Sequence, residues 1–350
     1  MKYIFIIGGT GILGKAIIYE ALKEDYQVIV IGLEKDSSIP KKVTQIIADR
    51  KDKINFTKKV ENINNIDILV DVADFSKEDA EQTYNLFKGK VKHFFILSTT
   101  LVYDRSKPYD KAIPSNYALA KVGELGGYVD RKLEIERFWR NKHDVNWTIL
   151  RPYHIVSPHD SLLGCIPDHN RDPLLIKRIL SEEPIVLCDG GNVKFNFVDA
   201  RNIAKVILKS SENKKAFGKS YNVVNPKPIL AKEYYEIIGK ELGKKINIKN
   251  KPIEKVWAEN KGWQLTTLPH VYDVSDLKKD IGFIPNISIE QSLKEAIKNY
   301  KPVNKAISEI EVHKRMTLMP RPKPIKWLFR ERIRKGKFYT EEEAKKILGI

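Results

Sequence analysis

Two tyrosine–lysine pairs have the spacing best suited to chemistry in this 350-residue chain. Tyr117 precedes Lys121 by four residues, and Tyr128 precedes Lys132 by the same interval. On a helix this interval sets both side chains on one face. A neighbouring ammonium stabilises the phenolate and lowers the tyrosine pKa, so the tyrosine can act as a general base near neutral pH.

The strand expected after the pair favours the second copy. A helix over 128–141 ends before the apolar run 147–150, whereas a helix begun at Tyr117 would carry two adjacent glycines in its middle. Glycine weakens a helix at such positions. We therefore favour the pair that begins at Tyr128, with Tyr117 as the alternative.

A glycine-rich turn near the start of the chain could hold phosphates. Gly8 permits a tight turn after the apolar run 3–7, and the missing Cβ of Gly11 allows close approach of a pyrophosphate. Gly14 lets the following helix pack against the strand, and the helix N-terminus aims N–H groups at the phosphates. A second strand over 28–31 completes a βαβ unit, which predicts dinucleotide binding.

Strand and helix patterns alternate up to about residue 150. The runs 66–72 and 93–98 are continuously apolar, as buried parallel strands are, and a helix over 78–86 separates them. This order predicts an α/β fold with a parallel sheet covered on both faces. After Pro152, prolines break the chain into shorter elements.

The composition bounds the partners and the compartment. The formal net charge is +17, but the lysines are scattered, so we expect no nucleic-acid partner. The longest apolar runs are too short to span a membrane, and the first of them leads directly into the glycine turn instead of ending as a signal peptide. Cys165 and Cys188 lack metal-ligand spacing, and the histidines form no ligand cluster, so we expect reduced thiols, no metal and a cytoplasmic location.

Together these features resemble the extended branch of the short-chain dehydrogenase/reductase superfamily, the NAD-dependent epimerase/dehydratase family that modifies nucleotide-linked sugars. The resemblance covers about residues 1–300. Its motifs are the glycine turn, "LSTTLVYD" (97–104), "TILRPYHIVSP" (148–158) and the stretches 195–208, 219–243 and 273–300. It implies a Rossmann-type doubly wound sheet with a smaller C-terminal substrate-binding region. The dinucleotide-binding domain would comprise 1–151 with parts of 195–225, the substrate-binding region mainly 152–300, and a basic extension 301–350.

The resemblance also implies the catalytic roles. Tyr128 would be the base, and Lys132 would lower its pKa and bind the nicotinamide ribose. Thr99, counted back from Tyr103, takes the place of the hydroxyl that orients the reacting oxygen, with its neighbours at 98 and 100 as alternatives. The family's acidic residue four places after the lysine is present as Glu136.

Dehydration is disfavoured by one substitution. Sugar-nucleotide 4,6-dehydratases of this branch carry Asp-Glu directly after the catalytic threonine, and here Thr100 and Leu101 stand there. Leucine cannot shuttle a proton. Epimerisation or simple oxidoreduction of a nucleotide-linked sugar remains.

The cofactor choice depends on the end of the second strand. The family's ribose-binding acid would fall at Gly32, with Glu34 and Lys35 nearby. Glu34 favours NAD, whereas Lys35 could pair with the 2′-phosphate of NADP. We expect NAD, with NADP as the alternative. The resemblance implies dinucleotide contacts at Gly8, Gly11, Ile12, Leu13, Gly14, Glu34, Asp49, Arg50, Ala73, Lys132, Pro152 and Ile155.

Partners and a rival function complete the expectations. The substrate pyrophosphate has candidate ligands in Arg171, Lys177, Arg178 and Arg201, and we expect a homodimer. Some proteins that resemble this chain bind a dinucleotide but act as regulators or RNA-binding proteins. Because both Tyr128 and Lys132 are present, the sequence favours an enzyme.

The extension 301–350 is basic and carries Trp327 and Phe329 in its most basic stretch. Two roles fit it: an interfacial anchor on anionic lipid, or a strap packed on the same or a neighbouring subunit. The short apolar face favours the strap over membrane contact.

Overall fold

The apolar runs of the first half of the chain form the central sheet of the computed structural model, which describes residues 1–106, 111–158, 162–165, 170–172, 175–259 and 267–300. The basic extension therefore lies outside the described residues. The sheet has seven strands: β1 (Tyr3–Ile7), β2 (Gln27–Gly32), β3 (Thr44–Ile47), β4 (Ile66–Asp71), β5 (Val91–Leu97), β6 (Trp147–Arg151) and β7 (Lys219–Asn222).

All neighbouring strands of this sheet run parallel, in the order β7-β6-β5-β4-β1-β2-β3. The chain builds outward from β1 to β3 and then returns to the other side of β1 with β4. The strand order thus reverses between β1 and β4. In such sheets, ligands bind in the crevice outside the carboxyl ends of the strands at this switch point.

Five helices flank the sheet: α1 (Ile12–Lys23), α2 (Lys53–Val60), α3 (Lys77–Phe87), α4 (Gly127–Arg140) and α5 (Ala200–Ser210). Apolar side chains of α2, α3 and α4 join those of the strands in one buried cluster, whose members include Phe56, Phe87 and Trp139. The helix α1 packs on α5. The predicted doubly wound α/β fold is confirmed, and the helix expected over 128–141 begins and ends one residue earlier.

The chain divides into two compact units. Unit one contains Met1–Ser157, Lys194–Ile229 and Pro269–Ser292, and unit two contains Pro158–Val193, Leu230–Leu268 and the chain from Leu293. Pro269–Ser292 falls within the stretch that the sequence analysis assigned mainly to substrate binding. The assignment of dinucleotide and substrate binding to separate parts of the chain stays a prediction.

Shorter elements complete the described chain. Unit one adds the strands His154–Val156, Lys194–Phe195 and Phe197–Asp199, the helix Ser275–Ile281, and the 3-10 turns Thr100–Val102 and Lys214–Ala216. Unit two adds the strands Leu162–Cys165, Asn170–Asp172, Ile185–Cys188 and Ile248–Lys251, the 3-10 turn Asp189–Gly191, and the helices Leu175–Leu180, Ala231–Glu241 and Ile253–Glu259. A two-residue strand, Ile229–Leu230, and the helix Ile289–Lys298 each lie across a boundary between the units.

None of the helices in the described part of the chain is both long enough and apolar enough to cross a membrane. Nor do the histidine, cysteine, aspartate and glutamate side chains of that part form a group of three or more that could hold a metal ion.

Candidate active site

The glycine turn after β1 is shaped by contacts that leave no room for side chains. Gly8 has a φ of +85°, and a Cβ on it would lie 2.9 Å from the Cβ of Ala73. A Cβ on Gly14 would lie 2.5 Å from the carbonyl oxygen of Gly9. These approaches require glycine at both positions and keep the turn tight at the switch point between β1 and β4.

The N-terminus of α1 opens onto the same turn. Gly11 is its N-cap residue and, within the described structure, supplies no side-chain hydrogen bond to the first turn. No acidic residue lies in the first turn of α1. The free N–H groups of this helix turn and the partial positive charge of the helix therefore face the glycine turn. The residues from Gly8 to Gly14 therefore fit the pyrophosphate of a dinucleotide, with Ile12 and Leu13 at the start of the helix.

Tyr128 and Lys132 lie one turn apart on α4. The Lys132 Nζ lies 5.9 Å from the centre of the Tyr128 ring and donates hydrogen bonds to the carbonyl oxygens of Leu97, at 2.6 Å, and of Asp74. Burial lowers the pKa of Lys132, and the carboxylates around it, chiefly that of Asp74, oppose this shift. The lysine is thus anchored at the carboxyl end of β5.

The Tyr128 phenol is not acidified by the chain alone. Although 43% of the residue is exposed, the atoms packed around the phenol raise its pKa to about 12, against a smaller opposing effect of Arg131. A lowered pKa therefore requires a positive charge beyond those of the folded chain.

The alternative pair does not share this arrangement. Tyr117 and Lys121 lie in turns and extended chain before α4 begins, and the Lys121 side chain is exposed. The Tyr117 ring lies edge-on to that of Tyr103, with 6.2 Å between the ring centres. Of the two pairs, only the second is on a helix.

Three hydroxyl residues follow β5 and have different partners. Ser98 donates to a carboxylate oxygen of Glu136 at 2.5 Å, and Thr99 accepts from the Leu101 N–H at 3.3 Å. The Thr100 hydroxyl is buried without a hydrogen-bond partner among the described residues. Thr99 thus caps a short turn, as strand-end hydroxyls often do, and its own O–H proton is still available to donate.

A buried ion pair connects α4 to β6. Glu136 and Arg151 are both fully buried, and Arg151 donates to the two Glu136 carboxylate oxygens at 2.8 and 2.6 Å. Burial would raise the pKa of Glu136, but the guanidinium of Arg151 and the hydrogen bond from Ser98 hold it below its usual value. The pair holds α4 in position against β6 and so helps to position Tyr128 on the same helix.

Arg50, expected at the cofactor, has its guanidinium directed into the protein. It pairs with Asp71, donates to the carbonyl oxygens of Ala73 and Asp79, and also bonds Thr83. Asp49 beside it is exposed and accepts from the Lys51 N–H. Arg50 is therefore placed to order the loop after β4.

The end of β2 is marked by a residue that the sequence analysis did not single out. Gly32 ends the strand, Glu34 and Lys35 are exposed, and the following Asp36 pairs with Lys15 of α1 at 2.9 Å. Burial would raise the Asp36 pKa, but hydrogen bonds from Ser38 and Lys15 lower it to about 2. The run Asp-Ser-Ser at 36–38 could have indicated a turn here, because an aspartate side chain often accepts a hydrogen bond from the backbone N–H two residues later, as Asp36 does from Ser38.

The remaining candidates are spread more widely. Pro152 accepts the Thr100 N–H at 3.1 Å through its carbonyl, and Ile155 is half-buried in the next strand. Arg201 pairs with Asp199 at 2.7 Å. Lys177 is exposed and Arg178 half-buried, both in unit two, whereas the side chain of Arg171 lies outside the described residues.

Comparison with known proteins gives a match to one family. Residues 4–224 match the sequence pattern of the NAD dependent epimerase/dehydratase family. No curated protein is similar enough in sequence to match the chain.

Several solved structures share the fold. UDP-glucose 4-epimerase from Thermotoga maritima, solved with UDP-glucose, has a TM-score of 0.68 at 15% identity over 85% of this chain and 98% of that one. UDP-glucuronic acid 4-epimerase from Bacillus cereus, solved with NAD, has a TM-score of 0.65 at 17% identity over 85% of this chain and 96% of that one. The dTDP-glucose 4,6-dehydratase from Bacillus anthracis, also solved with NAD, has a TM-score of 0.68 at 16% identity over 86% of this chain and 96% of that one.

Proposed function

Because the chain belongs to the NAD dependent epimerase/dehydratase family, we propose that it is an NAD-dependent epimerase or oxidoreductase of a nucleotide-linked sugar. The observation that carries this proposal is the anchoring of α4 at the end of β5. Lys132 bonds the Leu97 carbonyl, and Ser98 bonds Glu136 one turn further along the same helix. Both contacts bring the Tyr128–Lys132 pair to the carboxyl edge where Thr99 lies.

The residues then have distinct roles. Tyr128 takes the proton of a sugar hydroxyl, Thr99 donates a hydrogen bond to the reacting oxygen, and Lys132 binds the nicotinamide ribose and supplies a positive charge. A bound NAD supplies the ring that accepts and returns a hydride. Return to the other face of the keto-sugar gives an epimer, whereas release of the keto-sugar gives a dehydrogenase.

Tyr128 acts as a base only when the cofactor is present. With a pKa of about 12 in the chain alone, the phenol is protonated at neutral pH. A positively charged nicotinamide ring nearby favours the phenolate and lowers the pKa. The base is therefore formed together with the oxidising form of the cofactor, which ties proton removal to hydride removal.

The charge after β2 supports NAD over NADP. Asp36 holds its negative charge down to a pH of about 2 and neutralises Lys15 in the first turn of α1. A 2′-phosphate placed beside this turn would meet an ionised carboxylate and a lysine that is already paired. A ribose hydroxyl could instead donate to a carboxylate.

Native mass spectrometry of the full chain tests the class and the cofactor together. We expect a mass increase of one NAD per chain and a weaker uptake of NADP. An Asp36→Asn variant should reduce the difference in affinity between NAD and NADP, because it removes the charge that opposes a 2′-phosphate. A chain that takes up neither dinucleotide would contradict the proposal.

Leu101 bears on the reaction type. Since it has no proton to give or take where dehydratases carry an acid, incubation with NAD and a nucleotide-hexose should yield no 4-keto-6-deoxy sugar. Product analysis by mass spectrometry decides this, because loss of water shifts the mass whereas epimerisation does not. Accumulation of the dehydrated keto-sugar would overturn the assignment.

The homodimer and the cytoplasmic location stay predictions.

A further inference from the structure

The loop after β4 is held in place by hydrogen bonds on both sides of Asp74. The Ala73 N–H donates to Asp71 and the Ala73 carbonyl accepts from Arg50, both at 3.0 Å. The Phe75 N–H donates to Asp79 at 3.2 Å, and the Phe75 carbonyl accepts from Arg131. The Asp74 carbonyl itself accepts from Lys132. The backbone here has little freedom to move.

The Asp74 side chain differs from this well-bonded backbone. Only 1% of the residue is exposed, yet neither carboxylate oxygen has a hydrogen-bond partner within the described part of the chain. A buried polar group without a partner costs the folded chain free energy, so such a group calls for an explanation. Burial raises the Asp74 pKa well above its usual value; Asp71 and Asp79 add to this rise, and Lys132 and Arg50 oppose it.

The place of Asp74 indicates what could bond it. It follows β4, the strand between β1 and β5, and Ala73 before it lies against Gly8 of the phosphate-binding turn. On the other side, its carbonyl holds the Lys132 ammonium. Asp74 therefore lies at the switch point, between the turn that fits a pyrophosphate and the lysine proposed to bind the nicotinamide ribose.

We propose that the Asp74 side chain, which is shielded from solvent in the chain alone, rotates when a dinucleotide binds and that its carboxylate then accepts hydrogen bonds from the hydroxyls of the ribose between the pyrophosphate and the nicotinamide. The inference rests on the proposed function, since it requires a bound dinucleotide. A carboxylate offers two acceptor oxygens, which suits two neighbouring hydroxyls. A phosphate would be repelled by the same oxygens, and an amide carbonyl would offer them no proton.

The proposal has a consequence for protons. In the chain alone the carboxyl group holds its proton to an unusually high pH, and hydroxyl donors then favour the charged form. The Asp74 pKa should fall on binding, so a proton is released at any pH between the two values. Affinity should accordingly rise with pH through that range.

Other groups near the site can also exchange protons. Lys132 has a lowered pKa, and a nicotinium ring would shift that of Tyr128. Adenosine diphosphate ribose avoids the second effect, because it contains the ribose but no charged ring. Adenosine diphosphate lacks this ribose and is the matched ligand control.

Isothermal titration calorimetry of the full chain at a series of pH values from mildly acidic to mildly alkaline, in two buffers of different ionisation enthalpy at each pH, measures the exchanged protons. We expect proton release on binding of adenosine diphosphate ribose. The terminal phosphate of adenosine diphosphate itself titrates at a pH of about 6, so any proton exchange with that ligand should be the same in the wild type and in Asp74→Asn. Asp74→Asn should abolish the release and weaken binding of adenosine diphosphate ribose roughly tenfold. Its affinity for adenosine diphosphate should not change.

Controls separate this role from a structural one. Asp74→Asn should melt at the wild-type temperature or above it, because it removes an unpartnered buried carboxyl group. Glu78→Gln, which removes an exposed carboxylate close in sequence, should leave proton release intact. No proton release by the wild type, or equal weakening of both ligands by Asp74→Asn, would overturn the inference alone. Failure of the wild type to bind either ligand or NAD would overturn the proposed function as well.

Discussion

Replacing Tyr128 by phenylalanine is expected to lower turnover by about two to four orders of magnitude. The change removes the hydroxyl that accepts the sugar proton and keeps the ring. Lys132 stays bonded to the Leu97 carbonyl, and the glycine turn is untouched. Dinucleotide affinity should therefore change little. Steady-state turnover with the preferred sugar nucleotide, together with calorimetric binding of NAD, checks both halves of the prediction.

The first tyrosine–lysine pair supplies the matched control. Tyr117→Phe removes the same hydroxyl from a residue that lies before α4, so it should keep most of the activity. The opposite pattern, with full activity in Tyr128→Phe and a large loss in Tyr117→Phe, would move the proposed base to Tyr117. A loss of dinucleotide binding in Tyr128→Phe would indicate that the Tyr128 hydroxyl holds the cofactor.

Five of the seven sheet strands and the helix that carries the candidate base were predictable because their signals are local, whereas β3 and β7 were not predicted. Continuous apolar runs placed β1, β4 and β5, and the two adjacent glycines at the start of α4 separated the two tyrosine–lysine pairs. The glycine turn was read from three positions, and the structure adds a steric reason at Gly8 and Gly14. Each of these inferences needed only residues close to one another in the sequence.

The charges around the site were less predictable because their partners are distant in the sequence. A cofactor contact by Arg50 stays a prediction, and the sequence did not indicate that its guanidinium pairs with Asp71 and bonds Thr83, which belong to β4 and α3. The sequence showed that Asp74 follows a buried strand, whereas its lack of a hydrogen-bond partner among the described residues depends on the packing around it. A sequence gives the charge of a side chain but not the protein groups that will meet it.

Replacing Glu136 by glutamine is expected to cost about 3 kcal/mol or more of the free energy of unfolding. The change keeps the size of the side chain but leaves Arg151, fully buried, facing a neutral amide in place of a carboxylate. Arg151 would keep its bonds to the Tyr103 hydroxyl and the Ser115 carbonyl, but the amide offers one acceptor oxygen where the carboxylate offered two to Arg151 and Ser98. Activity should fall too, because the contacts that hold α4 at the end of β5 and against β6 are weakened. Denaturant unfolding of the wild type and the variant measures the difference.

Two further variants decide whether the buried charge is the cause. Glu81→Gln breaks the exposed pair with Lys77 and should cost less than about 1 kcal/mol. Replacing both Glu136 and Arg151 by apolar residues of similar size should recover much of the lost stability, since no unpaired charge is left buried. The pH dependence has a fixed sign. Because the folded chain lowers the Glu136 pKa, the stabilisation is complete above the pKa of unfolded glutamate and is lost as the pH falls through the folded value. The glutamine variant should lack this part of the acid transition, and an unchanged acid transition would show that Glu136 does not hold α4 through its charge.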